Sequence, residues 1–163
     1  MAGKNNQLAE EFHRIYVNEW EEARASLTSE KHEEEIIYLL MRIVRSVYDM
    51  CTEDVWHKSH KHSPSEHSLE EFIQSRLPKA LHPGHVTNPL RSFIHSCIKC
   101  ISSMTSQRHP LAIYWIPKGD PIDSDMFDIS TGTSGQVCDW TVWPAVVKGD
   151  GSVVKKGMVM PIV

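Results

Sequence analysis

Two cysteines separated by two residues, Cys97 and Cys100 in "SCIKC", are the first feature of this chain that could do chemistry. Thiolates at this spacing bind zinc or exchange disulfides. Both cysteines fall well inside a predicted helix, on or beside its apolar side, whereas a redox pair would lie at a helix start after a strand. This position favours buried core thiols over a metal or redox site.

Four histidines could complete a zinc site with these cysteines, because imidazole and thiolate are common zinc ligands. They lie in "HKSHKHSPSEH", a segment without apolar residues: His57, His60, His62 and His67. No second close pair of cysteines or histidines has the usual zinc-finger spacing. A solvated, histidine-rich connection is therefore the favoured interpretation, with zinc binding as the alternative.

The sequence lacks the common catalytic motifs, including a glycine-rich phosphate loop, a G-x-S-x-G elbow and an H-E-x-x-H helix. Four aspartates in "DPIDSDMFD" resemble a calcium loop superficially. They lack the glycine and the closing glutamate of an EF-hand, which favours a solvated acidic loop. The sequence therefore predicts neither an enzyme nor a bound cofactor or metal.

Five basic residues remain as a candidate anion-binding site. Two lie on the predicted helix that carries the cysteines, and three flank the last predicted turn: Arg91, Lys99, Lys148, Lys155 and Lys156. Single surface charges usually only improve solubility, but gathered cations bind anionic groups. Since the net charge is −4, unlike that of a typical nucleic-acid-binding protein, any such site must be a local patch.

The length of 163 residues and the hydrophobic content of 40% are enough to bury a core, and we predict a single domain over residues 1–163. No apolar run is long enough to span a bilayer, and the start lacks the basic-then-apolar order of a signal peptide. We therefore expect a cytoplasmic protein with reduced cysteines.

Apolar residues recur at helical spacing in four N-terminal segments, from which we predict four helices. Their approximate ranges are 6–27, 28–55, 68–77 and 88–104. Thr28 or Ser29 is the predicted cap of the second helix, and Ser68 begins a capping box at the third. Thr87 or Asn88 is predicted to cap the fourth, with proline at its first position.

Short branched and aromatic runs replace the helical pattern after the fourth helix. Residues 137–147 and 152–160 are rich in valine and are predicted to pair across the turn "KGDG". Pro144 cannot donate to a strand ladder and indicates an edge or bulge, while Gly157 indicates a bulge or a close backbone approach. Trp143 between them is more typical of a core or strand residue than of an interfacial anchor.

The predicted fold is α+β and predominantly α. It consists of a four-helix N-terminal part, within a helical region over residues 6–105, and a small C-terminal β-hairpin or sheet, within a β-rich region over residues 110–163.

Several of these segments together resemble the C-terminal domain of the mitochondria-eating protein family. The similar segments are "LAEEFHRIYVNEWEEA", "YDMC", "SCIKC", "HPLAIYW" and "DMFDISTGTSGQVCDWTVWPAVVKGDGSVVKKGMV". The resemblance extends from about Leu8 to Met160. Its structural motif is carried by Trp20, Trp143, Pro144 and Gly157.

The resemblance implies a non-enzymatic scaffold domain of mitochondrial quality control and mitophagy. Such a domain binds the anionic phospholipid cardiolipin, self-associates, and joins mitochondria from the cytoplasm; nucleic acid is not an expected partner. The five basic residues would then meet lipid phosphates through charge-assisted hydrogen bonds. The alternative is a protein-protein interaction or homo-oligomerisation module without lipid specificity, which uses the hairpin edge.

Overall fold

The computed structural model describes residues 2–53, 66–79, 81–130 and 134–162. Five α-helices lie in these ranges: α1 Ala2–Ile15, α2 Glu21–Ser26, α3 Glu33–Cys51, α4 Glu66–Ser75 and α5 Asn88–Thr105. A π-helical turn at Tyr16–Trp20 joins α1 to α2, and a 3-10 turn at Pro83–His85 precedes α5. None of the helices within the described ranges is both long and apolar enough to cross a membrane.

The π-helical turn interrupts the first predicted helix. Ile15 and Trp20 are both buried although they are five residues apart. In a regular α-helix a five-residue step would turn the second side chain well away from the first, whereas the wider π-turn keeps both on the core side. The local change in helix type therefore follows the spacing of the buried residues.

Two of the predicted helix caps are wrong, and one is confirmed. The second long helix begins at Glu33, and the Thr28 hydroxyl instead donates to the carbonyl of Ala25 at the end of the preceding helix. Ser68 lies inside α4 and not at its start. At α5, the Thr87 hydroxyl accepts a hydrogen bond from the backbone N–H of Leu90 at 3.2 Å, as an N-cap does.

Within the described residues, six short strands form two three-stranded sheets. The strands are β1 Ala112–Tyr114, β2 Phe127–Ile129, β3 Cys138–Trp143, β4 Ala145–Val147, β5 Val153–Lys155 and β6 Gly157–Pro161. The strand order is β1-β4-β5 in one sheet and β2-β6-β3 in the other. All pairs are antiparallel except that β2 runs parallel to β6.

The predicted architecture, a four-helix N-terminal part with a small C-terminal β-hairpin or sheet, is therefore wrong; the fold is mixed α+β with two three-stranded sheets. The chain does pair across the turn at residues 148–152, where Val147 lies opposite Val153. The segment before this turn leaves the β2-β6-β3 sheet at Pro144 and joins the β1-β4-β5 sheet. The segment after the turn returns to the first of these sheets at Lys156. Proline supplies no N–H to a ladder, which suits the break between β3 and β4.

Helices and sheets share one large hydrophobic cluster. The Trp143 ring, 2% exposed, lies with its centroid 4.5 Å from that of Phe12 and 5.3 Å from that of Tyr16. The prediction that Trp143 is a core residue is confirmed. Gly157 allows the close approach of the strands, since a Cβ there would lie 2.6 Å from the backbone nitrogen of Ala145.

Candidate functional site

The C-x-x-C pair is buried within α5 and has the properties of core thiols. Cys97 is fully buried, and the Cys100 thiol donates a weak hydrogen bond to the Leu8 carbonyl at 3.7 Å. Burial raises the pKa of Cys100 to about 12 and that of Cys97 well above its usual value. Both groups therefore remain protonated thiols at neutral pH, which makes them poor nucleophiles and poor metal ligands.

The histidine cluster lies largely beyond what the structure describes. His57, His60 and His62 fall outside the described residues, and only the backbone of His67 is placed, at the start of α4. Within the described ranges, no three histidine, cysteine, aspartate or glutamate side chains gather as metal ligands would. Zinc binding by the histidine-rich segment stays an untested alternative.

Three of the five predicted anion-binding residues are paired with carboxylates. Arg91 on α5 forms an ion pair with Glu70 on α4. Lys155 Nζ lies 2.9 Å from Glu10 Oε1 on α1, and this hydrogen bond lowers the pKa of Glu10. Lys156 Nζ lies 3.6 Å from Asp128 Oδ1. Part of the predicted positive charge is therefore balanced locally.

The five residues do not line a common cavity in the described part of the chain. Lys155 and Lys156 share a cavity of about 520 Å³. Lys99 lines a separate cavity of about 390 Å³ together with Arg14 and two glutamates. Lys148 is exposed on the turn between β4 and β5. Of the five, Lys155 and Lys156 are the two that these described cavities bring together.

A larger groove, absent from the sequence-based predictions, lies between α3 and the strands. Its volume is about 780 Å³. We call it the aromatic groove; its lining residues are Tyr38, Met41, Arg45, Tyr114, Trp115, Ile116, Pro117, Lys118, Asp139, Trp140 and Thr141. The adjacent Tyr114 and Trp115 in "LAIYWIP" are a local signal of an aromatic surface, although they do not indicate the groove itself.

Three separate parts of the chain position the aromatic groove. The buried side of α3 packs into the core, so its opposite side presents Tyr38 and Arg45 to the groove. The segment after β1 is attached to β3, because the Thr141 hydroxyl accepts a hydrogen bond from the backbone N–H of Ile116 at 3.0 Å. This bond fixes the neighbouring Trp115 on the groove wall.

Cations lie against the aromatic rings of this region. The guanidinium carbon of Arg45 is 5.4 Å from the Trp115 ring centroid, and that of Arg42 is 5.8 Å from the Tyr38 ring centroid. Both distances are typical of cation-π contacts. Elsewhere in the lining, Lys118 Nζ lies 3.2 Å from the carboxylate of Asp139.

Arg45 differs from Lys118 in its pairing. Its side chain is exposed, and it has no hydrogen bond or carboxylate partner within the described ranges. Tyr38 and Tyr114 at the rim are 51% and 43% exposed, so large aromatic surfaces face solvent beside an arginine with its donors available. The arrangement can bind an anion on an apolar support.

Fold and site together define a mixed α+β chain with an aromatic, cationic groove on its surface. The family model described as mitochondria-eating protein matches residues 61–161, which is more than half of the chain. The chain therefore belongs to the mitochondria-eating protein family, and this membership links it to mitochondrial quality control. No curated protein and no solved structure shows significant similarity to it.

The match confirms the family resemblance predicted from the sequence. It covers α4, α5 and all six strands, and so includes the strand side of the aromatic groove. Tyr38 and Arg45, on the α3 side, lie outside the matched range. The predicted extension of the resemblance towards Leu8 stays a prediction.

Proposed function

We propose that this chain is a non-enzymatic, lipid-binding scaffold domain that recognises anionic phospholipid, with cardiolipin as the lipid expected from its family, on the surface of mitochondria. The observation that carries the proposal is the aromatic groove. Arg45 lies over the Trp115 ring and Arg42 lies over the Tyr38 ring, and the side chains of Tyr38 and Tyr114 are exposed to solvent. Tyrosine and tryptophan beside basic residues suit the interface between lipid headgroups and acyl chains. Membership of the family supports the mitochondrial setting.

Phosphate recognition in this proposal begins at Arg45 in the groove lining and at Arg42, which lies beside the groove over the Tyr38 ring. Arg42 and Arg45 meet lipid phosphates through charge-assisted hydrogen bonds, which are stronger than bonds between neutral groups. Each basic residue near an anionic leaflet contributes about 1 kcal/mol of attraction. Tyr38 and Tyr114 then enter the headgroup region and add contact with the upper part of the acyl chains.

The predicted lysines form a second, weaker contact. Lys148 and Lys156 are exposed, and the pair between Lys156 and Asp128 is long at 3.6 Å. Exposed ion pairs contribute little to stability, so a lipid phosphate can compete for such a lysine. Arg91 and Lys155 are held more closely by Glu70 and Glu10, and they contribute less in this proposal.

Vesicle sedimentation with charge-reversal variants tests this proposal. The double variant Arg42→Glu, Arg45→Glu is expected to lose most binding to cardiolipin-containing vesicles, because it replaces two attractive charges by repulsive ones. Lys79→Glu, an exposed change outside the groove lining, serves as the matched control and should retain most binding. Equal binding by both variants, with circular dichroism showing intact folds, would contradict the proposal.

Self-association without lipid is the second candidate function. β2 lies at the edge of its sheet, and Ile129 on that strand is 38% exposed. An edge strand with an exposed apolar residue can pair with the same strand of another copy. Light scattering across protein concentrations tests this candidate: a constant monomer mass would argue against it, and a dimer lost on Ile129→Lys substitution would support it.

A further inference from the structure

The aromatic groove has the dimensions and lining of a site for a single small molecule. Ligand pockets in proteins commonly have volumes of about 300–1,000 Å³ and combine an apolar lining with a few polar groups. The groove volume of about 780 Å³ falls within that range. Contact with a flat membrane surface would need only the rim, so the depth of the groove requires a separate explanation.

One end of the groove is suited to an anionic group. The Arg45 guanidinium lies over the Trp115 ring, and its N–H donors are not engaged by any described residue. A guanidinium presents two parallel donors that fit phosphate or carboxylate oxygens. Lys118 is already paired with Asp139, which leaves Arg45 as the principal anion-binding group among the described lining residues.

Several other residues of the groove lining are suited to hydrocarbon. Met41 and Trp140 present apolar surface, Ile116 beside them is buried in the core, and Pro117 has no N–H to offer. The Thr141 hydroxyl is used twice, because it accepts from the N–H of Ile116 and donates to the carbonyl of the same residue.

We propose that the aromatic groove holds one molecule of anionic phospholipid, with the phosphate on Arg45 and an acyl chain along Met41, Trp115 and Trp140. This inference rests on the proposed lipid-binding function and goes beyond it, because it specifies a one-to-one complex in which an acyl chain leaves the bilayer. Surface attraction alone would not need an occupied groove. The expected ligand is therefore also bound when it is presented as a soluble monomer.

The test uses a short-chain phosphatidylglycerol, below its micelle concentration, with bromine atoms on the acyl chains that quench nearby tryptophan fluorescence. Trp56→Phe provides the background, since Trp56 lies outside the described residues. In that background the lipid is expected to quench fluorescence with a saturable one-to-one dependence. Adding Trp115→Phe and Trp140→Phe should remove the quenching, because Trp20 and Trp143 are buried in the core.

Arg45→Gln provides the second arm of the test. Loss of a charged hydrogen-bonding partner, worth about 1.5–3 kcal/mol, should weaken binding of the soluble lipid by about tenfold or more. Lys79→Gln is the control, with unchanged affinity expected. Brominated phosphatidylcholine of equal chain length should bind more weakly than phosphatidylglycerol, since it carries no net negative charge.

The outcomes separate this inference from the proposed function. Vesicle binding without saturable quenching by the soluble lipid would overturn the groove inference and leave the proposed function standing. Quenching that persists after replacement of Trp115 and Trp140 would also overturn it, because the lipid would then lie elsewhere. If the chain bound neither vesicles nor the soluble lipid, both the proposed function and the groove inference would be rejected. If it bound an acidic peptide tightly and no lipid, the groove would be a binding site for a protein partner instead.

Discussion

The cation-π contact between Arg45 and Trp115 is the contact on which the binding proposals depend most. An arginine on an aromatic ring loses little further freedom when it binds an oxyanion, because its plane is already restricted. Lysines such as Lys148 lack this preorganisation. The five residues of the sequence-based anion-binding site were chosen by their charge, and charge does not distinguish an arginine held against an aromatic ring from a solvated lysine.

The buried thiols lead to a prediction about reactivity. All four cysteines are free and buried, and burial raises the pKa of each thiol. A thiol must ionise before it attacks an alkylating or disulfide reagent. In the native protein at neutral pH, we expect labelling by a thiol reagent to be slow at all four positions and to become rapid after unfolding in urea, as measured by mass spectrometry. Rapid native labelling of Cys97 or Cys100 would contradict this account and reopen a redox or metal role.

His13 gives a prediction about pH and stability. Its pKa is lowered mainly by burial and further by the charge of Lys155, whereas Glu10 and Asp128 oppose the shift. The unfolded chain therefore binds a proton at His13 more readily than the folded chain, and stability falls as pH decreases through the unfolded value of about 6.5. We expect His13→Gln to lose less stability than the unmodified chain between about pH 8 and pH 5. Urea unfolding at each pH measures the difference, and equal losses would contradict it.

Helices were easier to predict than strands for a physical reason. A long amphipathic helix such as α3 repeats its apolar stripe over several turns, so its type is evident even where its cap is misplaced. The three-residue strands β1 and β2 are too short to show alternation, and their pairing partners are distant in sequence. The π-turn is indicated in the sequence by one feature, the five-residue spacing between the apolar residues Ile15 and Trp20, which a regular α-helix does not explain.

The groove could not be predicted for a related reason. Its lining comes from α3, from the segment after β1 and from β3, which are far apart along the chain. The local sequence pattern identifies the type of each segment, but it does not show that the three segments lie close together in the fold. The C-x-x-C pair shows the opposite case, because its position inside an amphipathic helix was enough to indicate burial.

The junction of β3, β4 and β6 provides a prediction about packing. A methyl group at Gly157 would lie 2.6 Å from the backbone nitrogen of Ala145 and 2.7 Å from the Phe127 ring. Backbone cannot move aside as a flexible side chain does, so Gly157→Ala is expected to lower the free energy of unfolding by about 1–3 kcal/mol. Gly149→Ala is the matched control, since nothing lies within 4 Å of its added Cβ. Urea unfolding should show only a small change in the free energy of unfolding for the control. Similar changes for both variants would argue against close packing around Gly157 at this junction.

Overall charge limits how the chain can meet a membrane. The net charge is −4, and several cations are paired with carboxylates, so long-range attraction to an anionic surface is weak. Attraction must instead act over about one Debye length, roughly 10 Å at 0.1 M salt, from the arginines at the groove. Binding that depends on both this local charge and aromatic insertion should weaken with salt without disappearing.

Sedimentation of the unmodified chain with two vesicle populations of equal size tests the central claim most directly. One population contains cardiolipin in phosphatidylcholine, and the other contains phosphatidylcholine alone. We predict clear co-sedimentation with the cardiolipin-containing vesicles, reduced but still measurable at high salt, and little with the neutral ones. Equal binding to both populations, or binding to neither, would contradict the claim that this chain recognises anionic phospholipid.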